Sequence, residues 1–449
     1  MGRETWVLVA TVVGLGCEPN PDFNPNATDA IVDTGPTSGD DGVALTGGEP
    51  GQPLGDVCAP LGPPEGNIVM VTPADADALD GIIASAPEGT TFLFESGTYP
   101  MSDGLWIENP GVTLRSASGN PEDVVLDGQR TAGTLIGVVA SNVTIAEMTL
   151  MRPTEHMIHT SGQEGVVVTG VVGYRLRLLD PGASAFKMNT TYTGEPSDDG
   201  VVACSTIMMT DEGRAELGDQ CEQASGVTGY AAVGWTVRDN VISGFWCPTG
   251  YGGAAVSFVE SSGYNDIIRN VVIDCTVGLR FGIYEEPMGR RSIEHPTCAD
   301  GDYDHYGGVI KDNFVSAVGT GIAASEVGFD SGIALWQVCD AAVVHNTVAS
   351  AIGSFGGIEY RFDRTTAKVL NNLTTEDILV RDDAGAPVAG NLEGVELNQF
   401  VDPLAGDLHL IDGSLAIDAG VSLGDDASLH DIDGEPRGEL PDVGADERG

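Results

Sequence analysis

Apolar residues in this chain come in short runs separated by polar and turn residues. The same phrase returns as "GVTLRSAS" near 112, "NVTIAEMTL" near 143, "GVVVTGVV" near 166 and "GVVACSTIMM" near 201. It continues as "GWTVRDNVI" near 235, "DIIRNVVI" near 266, "GVIKDNFV" near 308, "AVVHNTVA" near 342 and "AKVLNNLT" near 367. Runs this short, bounded by turn residues, predict strands. Their recurrence at steps of about 21 to 43 residues predicts a solenoid, one coil per repeat. Ahead of them, "PADADALDGIIASAPEGTTFLFESGTY" predicts a short capped helix and then a strand. Asp75 or Asp77 is its expected start, with Leu79, Ile82 and Ile83 facing inward.

Five of the runs carry an asparagine in the middle of an apolar stretch: Asn240, Asn270, Asn313, Asn346 and Asn372. A buried amide is costly unless it is paired. In a coil of three strands one corner must bend sharply, and Asn tolerates the left-handed backbone such a bend needs. Its side chain also reaches the Asn of the next coil, about 4.8 Å away. The five are therefore expected to form a structural ladder with no catalytic role, Ser205 holding the equivalent place one coil earlier.

Composition agrees with many strands and tight turns: 62 of the 449 residues are Gly. Charge changes the picture more. Twenty Lys and Arg face 67 Asp and Glu, a formal net charge of −47, and no Lys or Arg occurs between Arg3 and Arg115. Nucleic acid and anionic membrane surfaces are poor partners for such a chain. A solubilising acidic surface, or a set of oxygen-lined cation sites, accounts for the excess. At the N-terminus, "MGRETWVLVATVVGLGC" has an apolar run from Trp6 to Leu15 that is too short to span a bilayer. Residues 18–64, rich in Pro, Gly, Asp, Thr and Ser, read as an acidic linker. Seven cysteines follow Cys17, so one is expected to lack an intrachain partner; Cys204–Cys221 and Cys275–Cys298 are the plausible local pairs.

Two resemblances attach to these segments. "GLGC" resembles a bacterial lipobox, which implies a signal peptide over residues 1–17 whose Cys17 is lipidated and becomes the mature N-terminus, export, and a membrane contact made only through that lipid. Residues 66–449 resemble the right-handed parallel β-helix superfamily of pectate lyases and related polysaccharide-active proteins. "PGVTLRSASGNPEDVVLDG" (110–128) resembles its first coils, and "SLAIDAG…DIDGEPRGELPDVGADE" (414–447) resembles the closing segment of secreted members. The implied fold is all-β: about ten coils over 65–410 behind an N-terminal capping helix, then a capping segment over 411–449, with a monomer expected. Asp431, Asp433 and Asp442 suggest calcium, but Pro436 stands where a calcium loop needs Gly, so the segment reads as a structural cap.

The coil frame also says which residues point outward together. In "GIEYRFD" (357–363), Ile358, Tyr360 and Phe362 alternate inward while Glu359 and Arg361 face out. Aligning "ASAFKMN", "GAAVSFV", "GLRFGIY" and "GIALWQV" on it adds Lys187, Arg280 and Trp336 to one outer strip. In the resembled family this strand floors the saccharide groove. The largest insertion, "EEPMGRRSIEHPTCADGDYDHY" (285–306), follows the Arg280 strand and adds Arg290, Arg291, His295 and His305 as candidate binding groups. The implied substrate is a polysaccharide. The implied reaction is β-elimination of an acidic glycan, with Lys187 or Arg280 as base and Ca²⁺ held by Asp198, Asp199, Glu285 or Glu286. A non-catalytic surface protein binding a glycan or a partner is the alternative. A hydrolase would need a second carboxylate beside Glu359. His156 and His159 in "TEHMIHTSG" are expected on opposite strand faces, which disfavours a shared metal.

Overall fold

The computed structural model describes residues 57–163, 165–189, 195–298, 302–423 and 428–448. The signal-like segment, Cys17 and most of the linker lie outside the described residues. Three long sheets run the length of the molecule and all their strand pairs are parallel. The first has 12 strands, from Ile68–Val71 to Val388–Ala389. The second has 10, from Leu105–Ile107 to Ile378–Arg381, and the third has 10, from Gly97–Pro100 to Leu373–Thr374. Each coil visits the first, third and second sheet in turn, as in Val201–Ala203, Thr206–Met208 and Ser225–Tyr230. This is a right-handed parallel β-helix.

Register explains the core. One residue per coil of the first sheet points inward in an unbroken row: Phe92, Leu114, Ile145, Gly173, Val202, Val237, Ile267, Ile310, Val343 and Val369. The exception is instructive. A Cβ on Gly173 would lie 2.8 Å from the Phe186 ring, so the aromatic fills the space that glycine leaves.

At the corner between the first and third sheets the asparagine side chains are bonded in series. Nδ2 of Asn240, Asn270, Asn313, Asn346 and Asn372 each donates to Oδ1 of the next, at 2.9–3.0 Å. The ladder gains a sixth rung, Asn391, and the Ser205 N–H donates to Asn240 Oδ1 at 2.9 Å. The backbone expectation needs correcting. The left-handed residue is the one before each rung: Asp239, Arg269, Asp312, His345 and Asn371. The bend is made there so that the Asn side chain can turn into the corner.

Three further expectations shift. The capped element is the 3₁₀ turn Pro73–Ala78, where the Thr72 N–H donates to Asp75 (2.8 Å); it runs into the α-helix Leu79–Ala84, whose Leu79 and Ile83 are buried while Ile82 is half-buried. The linker ends before residue 64. Cys58 bridges to Cys204, Tyr174 donates to Ala59 O (2.7 Å), and Leu61 N–H donates to Glu147, which also pairs with Arg115 (2.7 Å). The other bridges are Cys221–Cys247 and Cys298–Cys339, leaving Cys275 as a buried thiol pushed up to about 12 by that burial. Neither local pair forms, since the partners lie side by side on neighbouring coils and loops.

The closing segment folds back along the flank of the helix. Phe400, Leu408, Leu410, Ala416, Val443 and Ala445 pack on Phe314, Ala349 and Leu373, the outward residues of the third sheet. Its acids serve backbone amides: Asp431 accepts from Asp433, Glu435 and Glu447, and Asp442 from Asp418 and Arg448. One flank is thereby covered, and the second sheet keeps the outer face on which the long insertion sits.

Candidate active site on the second sheet

Lys187, Arg280 and Glu359 share one outward row. Register runs His159, Lys187, Thr228, Ser257, Arg280, Ala334 and Glu359, one residue per coil. At roughly 4.8 Å per strand, Lys187 and Arg280 stand about 14 Å apart. The small residues between them leave a low floor. Trp336, Arg361 and Arg381 form the neighbouring row.

The two ends of the strip differ in what is left unspent. At the far end the groups are already paired with one another. Glu359 accepts from Trp336 Nε1 (2.7 Å) and Arg381 Nη1 (2.9 Å) and is only 2 % exposed. Arg361 is paired with Asp382 and lies over the Trp336 ring (4.8 Å). Phe362 takes a left-handed backbone and turns out of the main core to meet Trp336 edge-on.

At the near end Lys187 is 5 % exposed, with Nζ over the Tyr230 ring at 2.8 Å. Burial drives its ammonium down to about 7; Glu260 opposes the shift and Arg290 adds to it. Glu260, buried in the turn after the Val259 strand, is itself pushed up by burial against the pull of Arg290 and Lys187. His156 and His159 are both lowered to about 4 by burial. Their rings approach to 5.2 Å because His156 precedes the strand that begins at Ile158, so strand alternation does not separate them as expected. Arg280 donates to Ser257 Oγ (3.1 Å), and burial holds its guanidinium below the usual range.

The insertion crosses this end as a strap. Arg290 pairs with Glu260 (2.5 Å), Arg291 with Asp198 (2.8 Å), and Tyr264 stacks on His295 at 5.3 Å. Cys298–Cys339 pins its far side. His305 does not belong to the surface: it is fully buried, in the strand His305–Tyr306, stacked 3.7 Å from Phe281. The four acids considered for calcium do not converge. Asp198 is held by Arg291 and the Val233 N–H, with Asp199 beside it, whereas Glu285 and Glu286 line a separate cleft of 490 Å³ with Asp363, Arg364, Asp382 and Asp383. A larger cleft of 630 Å³ opens elsewhere, beside Arg214 and Trp246. There Arg214 is spent on the carbonyls of Met209, Gly244 and Trp246, so that cleft offers no free reactive group from it.

Tyr230 and Glu260 escaped the sequence reading. Tyr230 ends "SGVTGY", a strand whose glycines hide its alternation, and Glu260 occupies a left-handed turn position (φ 60°). Because Arg290 straps the loop over Glu260, Arg290→Ala should expose Lys187. Acylation of Lys187, followed by mass spectrometry, is expected to be at least about tenfold faster in the variant; an unchanged rate would show that the strap does not cover it.

No family model matches the sequence, and no curated protein matches it. Among solved structures, pectate lyase Pel9A superposes with a TM-score of 0.54 at 13% identity, covering 86% of this chain and 97% of that one. A polygalacturonase from Erwinia carotovora ssp. carotovora gives 0.44 at 10% identity, covering 74% and 95%. A mannuronic acid specific polysaccharide family 6 lyase from human gut microbiota gives 0.39 at 13%, covering 72% and 76%. At these identities the likeness to Pel9A establishes the fold, the right-handed parallel β-helix, and nothing finer.

Proposed function

We propose that the outer face of the second sheet binds an acidic polysaccharide and cleaves it by β-elimination, with Lys187 as the base. The observation that carries this is an amine with a pKa of about 7, buried in register with a guanidinium on one groove floor. Such a lysine is half neutral at physiological pH, the condition for a general base. Once the sugar chain displaces the Arg290 strap, Nζ takes the proton from C5 of a uronate, the electron pair forms the C4–C5 double bond, and the C4–O bond breaks. The departing oxygen takes a proton from solvent. Arg280, three strands along the row, pairs with the carboxylate of another uronate of the same chain and so fixes the register that brings C5 of one unit to Lys187. The net charge of −47 opposes a polyuronate at long range. Arg280, whose side-chain bond is to the neutral Ser257 hydroxyl, offsets that locally, since the field is set by the nearest charges. The name of the similar fold, pectate lyase, points to the same substrate class.

Three disulfides support an oxidising, exported location, in keeping with anchoring through Cys17. A non-catalytic glycan-binding protein is the second reading, favoured by the internal pairing of Trp336, Glu359, Arg361 and Arg381. The same pairing leaves a two-acid hydrolase without support. The deciding experiment is a panel of uronate polymers, with and without Ca²⁺, followed by the absorbance of the unsaturated product. Product formation supports the lyase; binding without product selects the second reading; neither binding nor product on any polymer overturns both.

A further inference from the structure

We infer that His409, Asp433 and Asp446 form a binding site for a divalent cation of the zinc class, placed to clamp the closing segment onto the flank of the β-helix. Nothing in the groove chemistry uses these residues. They lie on the hairpin Phe400–Asp402 and Asp407–Leu410 and on the closing segment that packs against it. Along the second hairpin strand Leu408 and Leu410 are buried and His409 between them is half-buried. There its ring nitrogen and one oxygen from each of Asp433 and Asp446 all lie within 4.8 Å of one another, the one such group among the described residues.

The orienting contacts are those that a metal-binding histidine needs. His409 Nδ1 is 2.5 Å from Asp407 Oδ1, which fixes the ring and directs Nε2 toward the other two carboxylates. The ring edge is braced at 5.0 Å against Phe314. Asp446 is 6 % exposed; its Oδ2 accepts from the Leu410 N–H (2.7 Å), leaving its second oxygen for a ligand. The turn that carries Asp433 is held by Asp431, whose Oδ1 accepts from the Asp433 N–H (3.0 Å). Each ligand is therefore positioned by a partner that is not itself a ligand. His409 Nε2 lies 3.0 Å from Asp433 Oδ2. Ligands about 2.0–2.1 Å from a tetrahedral Zn²⁺ stand roughly 3.3 Å apart, so the gap needs little change. One imidazole and two carboxylates neutralise a divalent charge, and a water completes four-coordination. The nitrogen donor selects a zinc-like ion over calcium, which takes oxygen ligands. Without the cation, the hydrogen bond between His409 and Asp433 links the same two segments.

The test uses the full chain stripped of metal with a chelator, then titrated calorimetrically with Zn²⁺ and, separately, with Ca²⁺. One Zn²⁺ per chain is expected, in the micromolar range or tighter, with a rise in Tm. Asp433→Asn should weaken binding at least about tenfold and abolish the Tm rise; its side chain is more than half exposed, so the variant should fold. His409→Gln should do the same, and Asp363→Asn, on the distant acidic cleft, should bind as the wild type does. With Co²⁺ as probe, the wild type should give visible bands without thiolate absorption, which excludes Cys275 as the ligand. Zn²⁺ binding that survives both ligand substitutions, Ca²⁺ binding as tight as Zn²⁺ binding, or no Zn²⁺ binding would each overturn the site.

Discussion

Lys187→Met is expected to abolish cleavage of acidic polysaccharide while making the fold more stable at neutral pH. A general base contributes on the order of 10²–10⁴ in rate, so product should fall by at least that range. The stability gain has a separate cause. The lysine is held at about 7 against an ordinary value of 10.5, because burial disfavours its charge. Between those values the unfolded chain binds a proton that the folded chain does not. Stability of the wild type therefore rises with pH from about 7 to about 10.5 and sits on its lower plateau below about 7. Methionine has no charge to desolvate and packs on Tyr230, so the variant should lose that slope. Urea unfolding at pH 6.5 and pH 9.5 checks it: the wild type gains stability with pH and the variant gains less. Cleavage by the wild type should likewise increase as pH passes through about 7. A variant that keeps its activity, or a wild type with no such pH dependence, removes Lys187 from the reaction.

Asn313→Ala should be the most damaging single change away from the groove. Its Nδ2 donates to Asn346 Oδ1, Ile267 O and Lys311 O at 2.9 Å each, and its Oδ1 accepts from both Asn270 N (2.8 Å) and Asn270 Nδ2 (3.0 Å). Truncation leaves several buried groups without partners, each costing about 1–3 kcal/mol. The expected loss is roughly 3–5 kcal/mol in urea unfolding with an unchanged m value. Asn391→Ala, at the half-buried last rung, should lose only about 1 kcal/mol. Equal losses at the two positions would mean that the rungs act independently of burial.

The contrast between these two sites shows what a sequence makes legible. An amide repeated inside an apolar run has few physical outlets, so the asparagine corner could be read directly. The residue that bends there could not, because Asp239 and Arg269 are unremarkable until φ is known. Strand alternation put Arg280 and Glu359 on one face, since period two needs only the strand. It could not say that Trp336 and Arg381 would bury Glu359. His305 was assigned to the loop because a two-residue strand has no periodicity to detect. The bridge from Cys58 to Cys204 spans 146 residues and depends on how the N-terminal segment docks, which no local pattern encodes. The site chemistry was hidden for the same reason: Tyr230, Glu260 and Arg290 meet Lys187 from three separate coils and loops.

The most direct test of the groove is a crystal structure of Lys187→Met with a uronate oligosaccharide that the variant cannot turn over. The account predicts the sugar chain lying along the second sheet, across the row from His159 to Glu359, with one carboxylate within hydrogen-bond reach of Arg280 and the C5 side of another unit facing position 187. An oligosaccharide bound on another face, or none bound at saturating concentration, would contradict it.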